Sequence, residues 1–438
     1  LDRERSESPA RKLGLWMCTA LVVGNMIGSG VFLLPSALAS YGGIGLLGWL
    51  FTAGGAVFLA LAFARLSRMV PKTGGPYAYT RHAFGDFAGF VVAWGYWISI
   101  WVGNAAISVA LVGYLAVFWS QLAEVPLLAG GAALACIWLL TWVNTTGVRN
   151  AGIVQLVTTV MKLVPLVVVA TVGLLFVKLE NFTPFNLSGA SSFSAVTATA
   201  ALTLWAFLGL ESATVPSGDV RDPGKTIPRA TILGTVLTAA VYILGTFAVM
   251  GIIPPESLAE STAPFADAAG EIFGAWGAYV VAAGAAVSCF GALNGWILLQ
   301  GQVPMATAGD GLFPGIFGRI SSRGTPAAGI LISSVLVTLL IAMNYTRGLV
   351  ELFTFMILLA TLTCLVPYAL STLGELVTLK RERESFAGEN LIAPSIVAAV
   401  ALIYSLWAIA GLGWRTLYLG FLLLLAGVPV YAWMKWKK

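Results

Sequence analysis

Two stretches of this chain combine residue types that rarely share an apolar segment. The first, Gly24-Asn25-Met26-Ile27-Gly28-Ser29-Gly30-Val31-Phe32, sets glycines beside an amide and a hydroxyl. The second, Trp205-Ala206-Phe207-Leu208-Gly209-Leu210-Glu211-Ser212, sets a glycine and a carboxylate beside a tryptophan. Glycine at this density disfavours a continuous helix. Where a helix breaks inside an apolar medium, the freed backbone groups must face a cavity or another part of the protein. Amides at the start of a half-helix suit a carboxylate, and carbonyls at the end of one suit an ammonium group. An α-amino acid carries both at one fixed spacing. The plainer reading, that the glycines only let helices pack closely, leaves Asn25, Ser29 and Glu211 unexplained.

Lys162 and Glu211 are the ionisable side chains that lie deepest in apolar runs. Burying either in its charged form is costly enough that a functional role is the default reading, and either could exchange a proton. Snorkelling to an interface fits Lys162 poorly, because it sits well inside its run, just before Val164-Pro165. Tryptophan offers the strongest cation–π face, so Trp205 beside a break suits an ammonium or guanidinium tail. Tyr96, Ile100, Asn104 and Ile107 share one stripe at about 100° per residue, which lets Tyr96 and Asn104 face one cavity. The plainer alternative is that they tie helices together. A single histidine, His82, and four scattered cysteines provide neither a metal constellation nor a disulfide framework, so no metal and no cofactor is expected.

The elements that must position these residues follow from composition. The chain has 438 residues, 58% of them hydrophobic, with 24 Lys+Arg and 19 Asp+Glu, and its mean hydropathy is +0.90. That balance excludes a soluble enzyme, a disordered scaffold and a nucleic-acid binder. A bilayer-spanning helix needs about 20 apolar residues. Twelve candidate spans centre on 13–40, 44–69, 87–119, 126–144, 150–177, 195–216, 230–253, 275–304, 326–344, 349–377, 392–411 and 415–434. With the N-terminus inside, the inner segments carry Arg3, Arg5, Arg11, Lys12, Arg65, Arg68, Lys72, Arg81, Arg149, Arg221, Lys225, Arg229, Arg319, Arg323, Lys380, Arg381, Arg383, Lys435, Lys437 and Lys438, whereas the outer loops carry Lys178, Arg347 and Arg415. This asymmetry predicts cytoplasmic termini and accounts for the basic pI without nucleic acid.

The breaks fall in spans one and six. A five-helix unit is odd-numbered, so its second copy inserts upside down, and equivalent breaks in two such halves mark an inverted-repeat transporter with a midplane site. A six-plus-six architecture would not put breaks there. The expected fold is therefore all-α and membrane-embedded, with twelve transmembrane helices. A short tail (1–12) precedes a ten-helix core (13–377, halves 13–177 and 195–377); two further helices (392–434) and a tail (435–438) follow.

These pieces together resemble the amino acid–polyamine–organocation superfamily, most closely its bacterial arginine/agmatine and basic amino-acid/polyamine antiporters. The resemblance rests on Gly24 through Pro35, Pro71-Lys72-Thr73-Gly74-Gly75-Pro76-Tyr77-Ala78-Tyr79, Tyr96-Trp97 through Gly103-Asn104, and Leu204-Trp205 through Glu211-Ser212. It continues through Asp222-Pro223 to Ile227-Pro228, Gly295-Trp296, Asp310-Gly311-Leu312-Phe313-Pro314 and Val366-Pro367-Tyr368, in the family's order. It implies a LeuT-like fold working by alternating access in the inner membrane.

By position, the resemblance implies that Asn25, Met26, Gly28, Ser29 and Gly30 hold the α-carboxylate and α-amino groups. Trp205 stacks over the substrate side chain, Leu208 lines the pocket, Asn104 and Ile107 meet its far end, and Trp296 separates it from the inner vestibule. Tyr96, Glu211 and Tyr368 form the inner gate and respond to pH. Lys162 takes the place of a sodium ion, with Ser288 as a partner, which implies sodium independence. Ala360 and Asn294 depart from the arginine antiporter, which has a serine and a glycine there. The resulting expectation is a cationic amino-acid exchanger or proton-linked carrier, with a neutral amino-acid carrier as the alternative. A membrane enzyme lacks its constellation here; a channel or an inert partner subunit remains a separate class. The last two spans leave a homodimer open.

Overall fold

The computed structural model describes residues 13–70, 74–146, 164, 166–214, 220–386 and 390–436. Lys162 and the segment Pro71-Lys72-Thr73 lie outside the described residues. The first apolar run forms two half-helices, α1 (Leu15–Met26) and α2 (Ser29–Ala39). Between them Ile27 is extended and Gly28 adopts φ −134°, ψ −137°, a conformation outside the helical region. α3 (Gly45–Met69), α4 (Pro76–Phe84), α5 (Asp86–Leu115), α6 (Pro126–Thr146) and α7 (Leu166–Phe176) follow.

α8 (Ser192–Leu204) repeats the interruption. A tight turn over Trp205–Phe207 leads into extended Leu208. Gly209 has φ +100°, a region closed to ordinary side chains, and a Cβ there would sit 3.3 Å from that of Asn25. The second half of the chain continues with α9 (Pro223–Ile252), the short α10 (Pro255–Glu260) and α11 (Pro264–Phe273), α12 (Ala275–Gly309), α13 (Ala327–Ala342) and α14 (Leu349–Arg381). Last come α15 (Ile392–Ala410), α16 (Trp414–Leu425) and α17 (Gly427–Trp436).

Among the described residues, ten segments are long and apolar enough to cross a membrane, counting α1 with α2 and α16 with α17 as single spans. The expected ninth span appears as the shorter apolar helix α13, and of the expected fifth span, 150–177, most lies outside the described residues, α7 being the described helical part. α5 is the central pillar, 94% buried over its apolar window, and α12 and α14 pack along it. The α16–α17 segment is only 22% buried and lies at the periphery. α9 packs against α1 and α3, which brings Tyr242 between Trp49 and Phe207 at ring-centroid distances of 5.3 and 5.7 Å.

That placement lets one hydroxyl serve both breaks. Tyr242 Oη lies 2.6 Å from the Met26 carbonyl, at the end of α1, and 3.1 Å from the Ala206 carbonyl, just past α8. Each helix end carries carbonyls with no intrahelical donor, and both of these are buried in apolar surroundings. Tyr242→Phe keeps the ring and removes the donor. Its expected effect is a loss of about 1–3 kcal/mol, the range for a buried group left without its partner. A lowered melting temperature of the purified detergent-solubilised protein registers it; an unchanged melting temperature contradicts the bridging role.

Candidate substrate-binding site

The two breaks face each other across a small cavity of about 20 Å³. Asn25, Met26, Gly28, Ser29 and Gly30 form one wall, and Trp205, Ala206 and Leu208 form the other. Ile107 of α5 and Trp296 of α12 close it. Nine of the positions expected at a pocket therefore meet in one place, joined by Ala206. The approach is tight: a Cβ on Gly30 would lie 3.0 Å from Ala206 Cα and 3.2 Å from Trp205 Cδ1. Asn25 donates from Nδ2 to Ser212 Oγ at 2.8 Å, which ties the first break to the residue after Glu211. The Ser29 hydroxyl is buried at the start of α2 and has no partner among the described residues. At this volume the cavity holds about one water, so admitting any larger molecule requires its walls to part.

Glu211 is fully buried and sits just beyond the second break. Tyr96 of α5 donates to Oε1 at 2.7 Å, and Tyr368 of α14 donates to Oε2 at 2.5 Å. Thr214 donates to the Glu211 carbonyl at 2.7 Å through both its amide and its hydroxyl. Phe63 packs edge-on against Tyr368 at 5.1 Å. One carboxyl group thus brings together the three residues expected at a gate and fastens three elements.

Other expected residues lie elsewhere. Asn104 is fully buried but does not line the cavity; its Nδ2 donates to Gln300 Oε1 at 2.7 Å, and its Oδ1 has no partner among the described residues. Gln300 in turn donates to Ser334 Oγ at 2.9 Å and the Ile330 carbonyl at 3.1 Å. Tyr96 and Asn104 share a helix stripe yet serve two different networks. Ala360 is fully buried in α14 and does not line the cavity either. Ser288 is buried one turn before Ala292, against which Gly28 packs, and its hydroxyl has no partner among the described residues.

Sequence reasoning overlooked several residues. Glu375, 1% exposed, pairs with Arg65 Nε at 3.6 Å. It falls at the end of an apolar run, where a carboxylate reads as the loop boundary; the arginines closing the second run, Arg65 and Arg68, were the available signal. Tyr242 and Gln300 were invisible because their partners are backbone carbonyls and an amide far away in sequence. A further ionic cluster joins α4 to α5 and α12. Arg81 bonds Asp86 and Asp310, each at 3.0 Å, and Tyr77 donates to Asp310 at 2.8 Å. Burial, reinforced by Asp310, pushes the Tyr77 phenol up and keeps it protonated. No group of three or more His, Cys, Asp or Glu residues among the described residues is arranged to hold a metal.

The profile of the amino acid permease family matches residues 13–429. The cadaverine/lysine antiporter of Escherichia coli (strain K12) is 38% identical over 367 residues, 82% of each chain. The putrescine transporter PotE of Haemophilus influenzae is 32% identical over 432 residues, 98% of each chain. A putative arginine/ornithine antiporter of Bacillus subtilis (strain 168) is 34% identical over 460 residues, 96% of each chain.

Replacing Glu211 with Gln tests the tyrosine lock. An amide keeps the shape but turns one acceptor into a donor, so one of the two tyrosines must give up donating to position 211 and accept instead. Cys364, 1% exposed on α14, lies beside this lock. A hydrogen bond to a charged group contributes about 1.5–3 kcal/mol, so Glu211→Gln should raise the labelling rate of Cys364 by a small thiol reagent roughly tenfold or more. Peptide mass spectrometry reads it, with buried Cys18 and Cys289 as internal controls. Equal labelling in both proteins counts against the lock.

Proposed function

The chain belongs to the amino acid permease family, within the amino acid–polyamine–organocation superfamily, and on that premise we propose that it is a sodium-independent secondary transporter exchanging cationic amino acids, arginine among them, by alternating access. The observation that carries this reading is the cavity at the paired breaks, where the start of α2, the end of α1 and two tryptophans converge. The α-carboxylate meets the free amides at the start of α2 and the Ser29 hydroxyl. The α-ammonium meets carbonyls at the end of α1 and at Ala206, and the cationic tail lies against Trp205 and Trp296. Opening toward one face requires the Glu211 lock to part; opening toward the other requires Trp205 to move. A proton on Glu211 is the natural coupling point. Lys162 would complete it by occupying the sodium position.

This reading carries a topology. Twelve spans, with two five-helix repeats over 13–177 and 195–377 and the α15–α17 segment outside them, accommodate both breaks at equivalent positions. The lysine and arginine asymmetry supports cytoplasmic termini in the inner membrane, and the peripheral α16–α17 segment is where a homodimer contact would form. A second reading, a neutral amino-acid carrier, is favoured by one observation: none of the residues lining the cavity carries a charged side chain.

Uptake of labelled arginine into proteoliposomes in sodium-free buffer separates these readings. Uptake only when the vesicles contain a cationic amino acid is the expected result; uptake into empty vesicles driven by a pH gradient makes the carrier a proton symporter. Competition by alanine but not by lysine supports the neutral reading and overturns the cationic one. Within the cationic reading, Trp205→Leu should weaken arginine binding about tenfold, since a desolvated cation–π contact contributes about 2 kcal/mol.

A further inference from the structure

A second cavity, about 900 Å³, opens above the pocket on the side away from the Glu211 lock. α8 spans the two, giving Leu202 to the cavity and Trp205 to the pocket less than one turn deeper. Ala37 of α2, Phe355 of α14 and Trp407 of α15 make much of its wall apolar, and its charged lining side chains are Arg347 and Glu351. Arg347 Nη1 bonds Glu351 Oε1 at 2.8 Å, and the guanidinium lies 4.9 Å over the Phe355 ring. Arg415 approaches the same ring at 5.9 Å.

Helix stability explains only half of this arrangement: Glu351 lies in the first turn of α14, where the helix dipole favours an anion. Arg347 sits just before the first turn of α14, where the helix dipole disfavours a cation. The ion pair itself is weak, because one partner is largely exposed: Arg347 is 18% exposed and Glu351 66%. What holds the guanidinium is the aromatic face beneath it. The result is an anchored cation and a freely reachable carboxylate, side by side on the wall of a cavity that lies less than one turn of α8 from the candidate pocket. An incoming ligand can displace the pair at little cost if it brings both charges.

We propose that Arg347 and Glu351 form an entry subsite that selects carboxylate-bearing cations over diamines, Arg347 taking the carboxylate and Glu351 an ammonium group. This rests on the transport reading above and extends it to the choice between exchange partners. A diamine offers nothing to Arg347 and is repelled by it and by Arg415. An amino acid replaces the pair's two partners at once. The cation-rich mouth therefore holds amino acids and gives little hold to diamines.

Lysine and cadaverine are suitable probes, since they differ by the carboxylate alone. In proteoliposomes, with substrate added from the vestibule side, Arg347→Gln should raise the KM for lysine about fivefold, the upper end for a partly exposed charge contact, and lower that for cadaverine, since the charge that repels it is gone. Glu351→Gln should raise both. kcat should hold in each variant, and Arg347→Lys should return the lysine KM to near its original value. Equal shifts for both substrates in Arg347→Gln, or no shift in either variant, overturn the subsite. Equilibrium binding of the same labelled probes to purified protein separates the two readings. A wild-type chain that binds both probes and exchanges neither overturns the transport reading, and the ratio of lysine to cadaverine affinity in Arg347→Gln then decides the subsite alone.

Discussion

Inside an apolar medium no backbone amide or carbonyl can be left to water, and that constraint organises this molecule. Two helices are interrupted at depth, and each interruption frees groups that must be paired locally. The structure meets this by making the interruptions satisfy one another. Tyr242 reaches carbonyls of both, and Asn25 crosses from one to Ser212 beyond the other. Gly30 and Gly209 let the two backbones come close enough for this to work. The pocket is therefore not carved into a finished bundle. It is the space left between two broken helices that stabilise each other.

The same economy explains why the conspicuous buried carboxyl group lies next to the pocket and not in it. Glu211 follows the second break directly, so any movement of that segment moves the carboxyl, and Tyr96 and Tyr368 register it from α5 and α14. A buried carboxyl group is costly to leave without its hydrogen bonds, which makes the closed arrangement well defined. Glu375 and Arg65 add a second contact between α14 and α3. The cluster around Arg81 fastens α4 to α5 and α12.

Much of this was readable from the sequence where a local pattern forces a local outcome. Glycine density at Gly28 and Gly209 signalled the breaks, and apolar run length marked most of the described helices, although the helix expected from 230 starts a turn or two earlier at Pro223. The lock of Glu211 with Tyr96 and Tyr368 was accessible only through resemblance, because nothing in the spacing of residues 96, 211 and 368 links them. Asn104 shows where periodicity stops helping: a helix stripe tells which face a residue shares, but not which neighbour its amide will find, and Gln300 lies 196 positions away. Glu375 was overlooked because a carboxylate near a run's end looks like a loop until the opposing arginine is in place.

A pocket without a charged side chain suits carriage of a cation better than one with a carboxylate. A carrier must bind its cargo comparably when open to either face, since unequal affinity shifts the equilibrium toward one conformation. A buried carboxylate would bind a cation tightly in the closed state and would itself need neutralising whenever the pocket is empty. Aromatic faces and backbone dipoles impose neither demand, because they remain satisfied or nearly so without a ligand. On the transport reading, keeping full charges out of the pocket lining leaves the transfer step to groups that can let go.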